Sequence, residues 1–239
     1  MQRTLENTLD FLRRLITPPD AEAPSDAALA ARTIARSRGL RFEVVVGEEV
    51  TTLGGHLLAL FLEERIRPLR SLRSTIAEVH AQGGLAIPAH PLVPYPLCAP
   101  GFLLRRLLAD ADERFRPDGL EVFNPTTLGR PWHSRVVRFA DEHGMAKVGN
   151  SDAHTCEAIA TGWTTFPGRT ADDLRLAILE RTTHHHGTFH GGRSQITTFG
   201  RQLQKYGRDA RATVRGRVLR DGTRRDLGYP DDVVREAGR

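Results

Sequence analysis

The sequence is poor in cysteine and has no long hydrophobic run. Its two cysteines, Cys98 and Cys156, provide neither a disulfide framework nor a paired-cysteine zinc site. No segment approaches the roughly 18 uninterrupted apolar residues of a membrane-spanning helix. The first residues include Glu6 and Asp10 and lack a signal-peptide pattern, so we expect a cytoplasmic protein. The first histidine is His56, which excludes any histidine-containing metal motif before that residue.

The net charge of +5 is unevenly distributed along the chain. Residues 193–239 contain 12 of the 34 lysines and arginines but only 6 of the 29 acidic residues. We therefore divide the chain into a nearly neutral domain at 1–192 and a basic C-terminal extension at 193–239. Apolar residues recur about once per helical turn in this extension, with arginines opposite them. Such a helix either packs on the preceding domain or binds nucleic acid or an acidic membrane surface.

Strand-like and helix-like segments alternate through most of residues 1–192. Two helices are predicted in a divergent N-terminal segment at 1–39, and short apolar segments then alternate with amphipathic ones. The predicted strands are 40–52, 54–62, 85–91, 119–125 and 146–155. The predicted helices are 71–84, 101–115, 132–144 and 170–181. This alternation favours an α/β fold with a parallel sheet, either open or closed into a barrel.

Side chains that bind metals fall near the ends of these strands. Glu49 is expected to end the first strand, His56 to begin the second and His90 to end the third. Asp152 and His154 are two positions apart after an apolar strand, so an extended backbone would point both to one side. Function in such folds is found at the carboxyl ends of the strands. We therefore expect side chains from separate strands to converge on a common cation.

Five motifs, taken in order, resemble the PHP family, which is named after polymerases and histidinol phosphatase. They are VVGEEVTT, GHLLALFL, AIPAHP, DGLEVFNP and VGNSDAHT, and the resemblance covers roughly residues 40–192. It implies a distorted (β/α)7 barrel and a bacterial stand-alone, metal-dependent phosphoesterase. The implied substrate is a phosphomonoester or the phosphate of a nucleotide or oligonucleotide.

The resemblance also implies roles for individual residues. Glu49 is similar to the bridging glutamate of the family, and His56 and His90 are similar to two histidines that share the second metal with it. Asp152 resembles a ligand of the first metal and His154 a ligand of the third, with Glu49 and Asp152 as the implied catalytic pair. These ligand types suit zinc, manganese or iron. Family members bind up to three such metals, which clamp a phosphate and activate a bridging water.

The chain departs from the family at its beginning. The first two strands of the family carry His-x-His and Asp-His motifs, and this chain has neither before His56. We therefore expect a barrel that is incomplete at its N-terminus, with one or two metals. With too few cations, repulsion between Glu49 and Asp152 would raise a carboxylate pKa. Two explanations stay open, a gene start upstream of residue 1 and a true loss of ligands. A true loss would leave an inactive scaffold or a nucleic-acid-binding or regulatory protein.

Other polar residues have more ordinary interpretations. Glu121 and Asn124 are expected to orient the end of their strand or the metal ligands rather than to bind metal. The histidine-rich run at 184–190 is interpreted as a solvated loop. The NPTTLG motif is followed by three polar residues that either contact a substrate phosphate or form an exposed helix face. They are Arg130, His133 and Arg135.

Overall fold

The computed structural model describes residues 26–40, 42–95, 97–126, 129–153 and 158–189. Within them the helices are α1 (Asp26–Ser37), α2 (Leu72–Ala81), α3 (Gly101–Leu108), α4 (His133–Glu142) and α5 (Ala171–Leu179). The strands are β1 (Gly47–Thr52), β2 (Gly55–Leu60), β3 (Leu85–Pro88), β4 (Gly119–Phe123), β5 (Ala146–Gly149), β6 (Gly162–Thr165) and β7 (His184–Gly187). Short 3-10 helices span Glu113–Phe115 and Arg130–Trp132. None of the helices described here has the length and apolar character needed to cross a lipid bilayer.

The first sheet is an antiparallel arrangement of β1, β2 and β3. β1 and β2 remain paired up to Thr52 and Gly55, which leaves a turn of only two residues. Gly55 has a φ of +117°, and a Cβ atom there would lie 2.5 Å from the backbone nitrogen of Ala99. Glycine is therefore required at the start of β2, directly before His56.

β4 connects the first sheet to the remaining strands. The backbone amide of Asp118, just before β4, donates to the carbonyl of Ala86 in β3 at 2.9 Å. β4 pairs in parallel with β5, and β6 pairs with β7 in antiparallel fashion. The amide of Gly149 in β5 donates to Oγ1 of Thr164 in β6 at 2.9 Å. These contacts place β4 between β3 and β5.

Two hydrophobic clusters hold the strands and helices in place. The larger one joins β1, β2 and β4 to helices α2, α3 and α4, and Leu57, Ile76 and Leu104 are fully buried in it. The smaller one joins β3 and β5 to α5 through Ile87 and Ile178. Each fully buried side chain of this size stabilises the fold by about 1.5–3 kcal/mol. The strands that carry the predicted ligands are therefore firmly positioned.

The mixed α/β fold confirms the predicted class, but several details are corrected. β1 to β3 and β6 to β7 are antiparallel, and only β4 and β5 are parallel among the described strands. A two-residue turn cannot make the crossover that parallel strands need. The first strand is shorter than predicted, the helix at 101–115 is split, and residues 184–187 form β7 rather than a loop. The described strands form three separate sheets, so the closed barrel stays a prediction.

Two predictions concern the ends of the chain. The first predicted helix and the basic extension at 193–239 lie outside the described residues. The division of the chain into a domain at 1–192 and an extension therefore stays a prediction.

Candidate metal centre

The β1–β2 hairpin places Glu49 and His56 on the same face of the first sheet. Thr51 pairs with His56 and Glu49 pairs with Leu58, and directly opposite residues of an antiparallel pair share a face. Glu49 and His56 are therefore diagonal neighbours, and Oε1 of Glu49 contacts Nδ1 of His56. Nε2 of His56 lies 3.4 Å from Oγ1 of Thr51. Glu49 lies in the middle of β1 and not at its end, which corrects the prediction.

His90 joins this pair from the end of β3. The amide of Ala89 donates to the carbonyl of His56 at 3.0 Å, which keeps the chain beside β2. His90 then has a φ of +31°, and its Nε2 lies 3.3 Å from Oε1 of Glu49. One ligand atom from each of Glu49, His56 and His90 lies within 4.8 Å of the others. No second group of this kind is found in the part of the chain that the structure describes.

Strong electrostatic coupling joins these side chains. Partial burial would raise the pKa of Glu49, but hydrogen bonds to His56 and His90 outweigh it and hold this pKa well below its ordinary value. Burial would lower the pKa of His90, but contacts with Cys98 and Glu49 raise it to about 11. Without a bound metal, these contacts therefore favour the ionised form of Glu49 and the protonated form of His90. The rise in carboxylate pKa expected from repulsion does not occur at Glu49.

The cluster is open to solvent on one side and supported on the other. About a third of the Glu49 side chain is exposed (35%), which leaves room for a ligand to approach. Nδ1 of His90 lies 3.2 Å from Sγ of the half-buried Cys98. The two ring nitrogens of His90 thus face Glu49 and Cys98, which fixes the orientation of the ring. Metal-binding histidines in proteins usually have such a partner on their second nitrogen.

Asp152 lies outside this three-residue group and is held by a neighbouring network. Its Oδ2 accepts a hydrogen bond from Nδ2 of Asn124 at 3.2 Å, and its amide donates to Oδ1 of Asn150 at 2.6 Å. Glu121 accepts bonds from both asparagine side chains and from the backbone amide of His90. Burial raises the pKa of Glu121 to about 7. The raised carboxylate pKa is thus found at Glu121 rather than at Glu49.

The other predicted residues are placed differently. His154 lies outside the described residues. Nδ1 of His133 donates to the carbonyl of Val122 at 2.9 Å, and the ring packs in an aromatic cluster with Phe123, His185 and Phe189. Arg130 and Arg135 are exposed beside aromatic rings. His133 is therefore part of a packed cluster rather than of an exposed helix face.

Two contributors to the site escape the sequence analysis. Cys98 comes from the loop between β3 and α3, and no spacing in the sequence relates it to His90. Asn150 is two residues before Asp152, and its side chain accepts the amide of Asp152 in an Asx turn. The GNSD stretch is typical of this turn, so Asn150 carried a usable signal.

Comparison with known proteins covers part of the chain. Residues 130–183, from the second 3-10 helix to beyond α5, match a family model described as PHP-associated. An uncharacterized protein of Methanocaldococcus jannaschii, MJ1587, is 40% identical over 82 residues. That alignment covers 34% of this chain and 43% of MJ1587.

Two solved structures align with this chain over part of their length. A two-domain protein from Bacteroides vulgatus, described as containing a predicted PHP-like metal-dependent phosphoesterase, aligns with a TM-score of 0.53 and 19% identity. This alignment covers 74% of the present chain and 54% of that protein. PsfC from Pseudomonas syringae aligns with a TM-score of 0.48 and 19% identity, over 66% of this chain and 65% of PsfC. The chain thus spans less than two thirds of each of these relatives.

These findings confirm the resemblance to the PHP family that the motifs predict. The fold is a mixed α/β fold similar to that of a protein described as PHP-like, and a segment of the chain matches the PHP-associated model. The matched segment does not include Glu49, His56 or His90. The role of these three residues therefore depends on their own geometry.

Proposed function

We propose that this chain is a metal-dependent phosphoesterase in which Glu49, His56 and His90 hold a divalent cation. The observation that carries the proposal is the convergence of these side chains from β1, β2 and the end of β3. The PHP-like fold supports the same class of reaction. The proposed substrate is a phosphomonoester or the phosphate of a nucleotide or oligonucleotide. The three sheets would then correspond to part of a distorted (β/α)7 barrel.

The donor set fits a first-row divalent cation. Two imidazole nitrogens and a carboxylate are ligands that zinc, manganese and iron accept. His56 and His90 both direct a ring nitrogen at the same oxygen of Glu49, so all three donors face one region. Three protein ligands leave open positions for water and for a phosphate oxygen. We propose one such cation, with Asp152 available to a weaker second one. Because ligands must be deprotonated, metal binding competes with protonation of His90.

The residues of this chain then have defined tasks. A bound cation would supply Lewis-acid polarisation of the phosphoryl group and a water of lowered pKa. Asp152 orients the attacking water and accepts its proton, and Asn124 holds the carboxylate of Asp152 for this purpose. Glu49 stays ionised over the working pH range, because its pKa is held well below its ordinary value. The exposed side of Glu49 gives the substrate its approach from solvent.

A second candidate function is an inactive scaffold that binds nucleic acid. The excess of arginine in residues 193–239 favours it. Binding of this kind would come from contacts between arginine and phosphate, and it would weaken steeply with added salt.

Hydrolysis of p-nitrophenyl phosphate and of a 3′,5′-nucleoside bisphosphate, with added manganese or zinc, tests the proposal. We expect turnover by the wild-type chain and its loss in Glu49→Gln. The matched control is Glu48→Gln, because the carboxylate of Glu48 instead accepts the amide of Ile66 at 2.7 Å. Equal rates for the wild type and Glu49→Gln would reject the enzyme. Salt-sensitive retention of DNA without turnover would favour the scaffold.

A further inference from the structure

We infer that Glu121 is a positioning residue that holds both His90 and Asp152 in the orientations that the metal centre needs. The inference rests on the proposed function. Glu121 is in the middle of β4, whose five residues are all buried, and it is only 2% exposed. Its sequence neighbours Leu120 and Val122 belong to the hydrophobic core. Burying a carboxylate in such surroundings is unfavourable unless donors satisfy it.

Three N–H donors surround this carboxylate. The backbone amide of His90 donates to Oε2 of Glu121, and the side-chain amides of Asn124 and Asn150 donate to Oε1. The orientation of both asparagines is fixed, because each Oδ1 accepts a bond from the backbone amide two residues further along, at 3.0 and 2.6 Å. Each asparagine therefore presents its NH₂ group to Glu121. Only a side chain with acceptors at both oxygens satisfies all three donors.

Glu121 connects two strand ends because β4 lies between β3 and β5. His90 follows β3 and Asp152 follows β5, and their φ angles are +31° and +43°. Residues other than glycine keep such left-handed conformations only where surrounding contacts hold them. Glu121 holds His90 directly and holds Asp152 through Asn124, whose Nδ2 is 3.2 Å from Oδ2 of Asp152. One buried carboxylate thus sets the geometry of both residues.

The Glu121→Gln variant distinguishes a role of Glu121 in positioning His90 and Asp152 from a role in core packing. Glu121→Gln has nearly the same volume, but its NH₂ group must face either the amide of His90 or the two asparagines, and all of these are donors. The matched control is Val122→Ala on the same strand. Val122 is the next residue of β4, and its side chain is 3% exposed in the larger hydrophobic cluster. This change removes packing without altering a bond of His90.

Two measurements on the full chain test the inference. The first is zinc affinity, measured by competition with a chromophoric chelator. The second is hydrogen exchange of the His90 amide in the metal-free protein, followed by NMR. We expect Glu121→Gln to bind zinc about 10- to 100-fold more weakly and to lose protection at the His90 amide. Val122→Ala should retain both properties, and Glu121→Asp should lie between the wild type and Glu121→Gln.

The outcomes separate this inference from the proposed function. Wild-type affinity and His90 protection in Glu121→Gln would overturn the positioning role, and so would equal losses in Val122→Ala. A wild-type chain that binds no zinc would overturn the proposed function, and the His90 amide would then still decide whether Glu121 holds this residue. If Glu121→Gln does not fold, Glu121→Asp is judged by the same two measurements.

Discussion

Replacement of His80 by glutamine tests how β3 and β4 are held together beside the metal centre. Nε2 of His80 lies 2.8 Å from Oδ2 of Asp118, and its Nδ1 lies 2.9 Å from the carbonyl of Arg114. Because both partners are acceptors, both ring nitrogens carry protons and the imidazole is charged. The same Oδ2 of Asp118 accepts the amide of Ala86 at 2.7 Å. The ion pair therefore supports the junction from which His90 and Glu121 project.

The size and sign of the effect follow from this arrangement. Burial opposes the charge of His80, but the hydrogen bond to Asp118 outweighs it and raises the pKa of His80 above its ordinary value. Such a group stabilises the fold below its unfolded pKa, and the stabilisation is lost as pH rises through the folded pKa. Hydrogen bonds to charged groups contribute about 1.5–3 kcal/mol. The pair is partly exposed, at 18% and 15%, so we expect the lower end of this range.

Urea unfolding of the wild type and His80→Gln at a series of pH values measures this contribution. At pH values below the unfolded pKa of about 6.5, the wild type should be more stable by about 1.5 kcal/mol. The difference should shrink as the pH is raised through the folded pKa of His80, which lies above its ordinary value. In an Asp118→Asn background the pH dependence of the difference should disappear. A difference that is constant with pH, or that grows as pH rises, would refute the reasoning.

Three further predictions concern separate elements. Cys98→Ala removes the partner of Nδ1 of His90, so competition with a chelator should show a zinc affinity about tenfold below that of the wild type. Cys98→Ser should retain most of the wild-type affinity. Equal zinc affinities of the wild type and Cys98→Ala would contradict this role of Cys98. Gly55→Ala places a Cβ atom 2.5 Å from the backbone nitrogen of Ala99, whereas the nearest atom to a Cβ in Gly83→Ala is 3.9 Å away. Gly55→Ala should therefore lower the midpoint of thermal unfolding more than Gly83→Ala does. Equal midpoints for the two variants would contradict the steric argument. Thr170→Ala removes the capping box of α5 and should cost about 1 kcal/mol in urea unfolding without changing zinc affinity.

The sequence predicts the side chains of the site better than it predicts how the strands pair. Glu49, His56 and His90 are found from their positions on apolar segments and from the PHP-like motifs, and the structure brings them together. Alternation of strands and helices indicates which elements exist, but strand direction depends on the connections. The two-residue turn after Thr52 requires an antiparallel pair, and this signal was present in the sequence.

The supporting residues were harder to predict, because their partners are distant in the chain. The sequence predicts that Glu121 and Asn124 orient their strand end or the metal ligands, but it does not identify which groups they hold. These partners become clear only when β3 and β5 are placed on either side of β4. Cys98 contacts His90 through a loop whose path no periodicity determines. Tertiary packing, rather than local pattern, therefore defines the network around the ligands.

The central claim is that Glu49, His56 and His90 together hold one divalent cation. The most direct measurement is the number of zinc or manganese ions that each chain retains after dialysis, determined by mass spectrometry of the metal. We predict one retained ion for the wild type and for Glu48→Gln, and its loss in Glu49→Gln, His56→Gln and His90→Gln. A wild-type chain that retains no ion, or three ligand variants that all retain it, would contradict the claim.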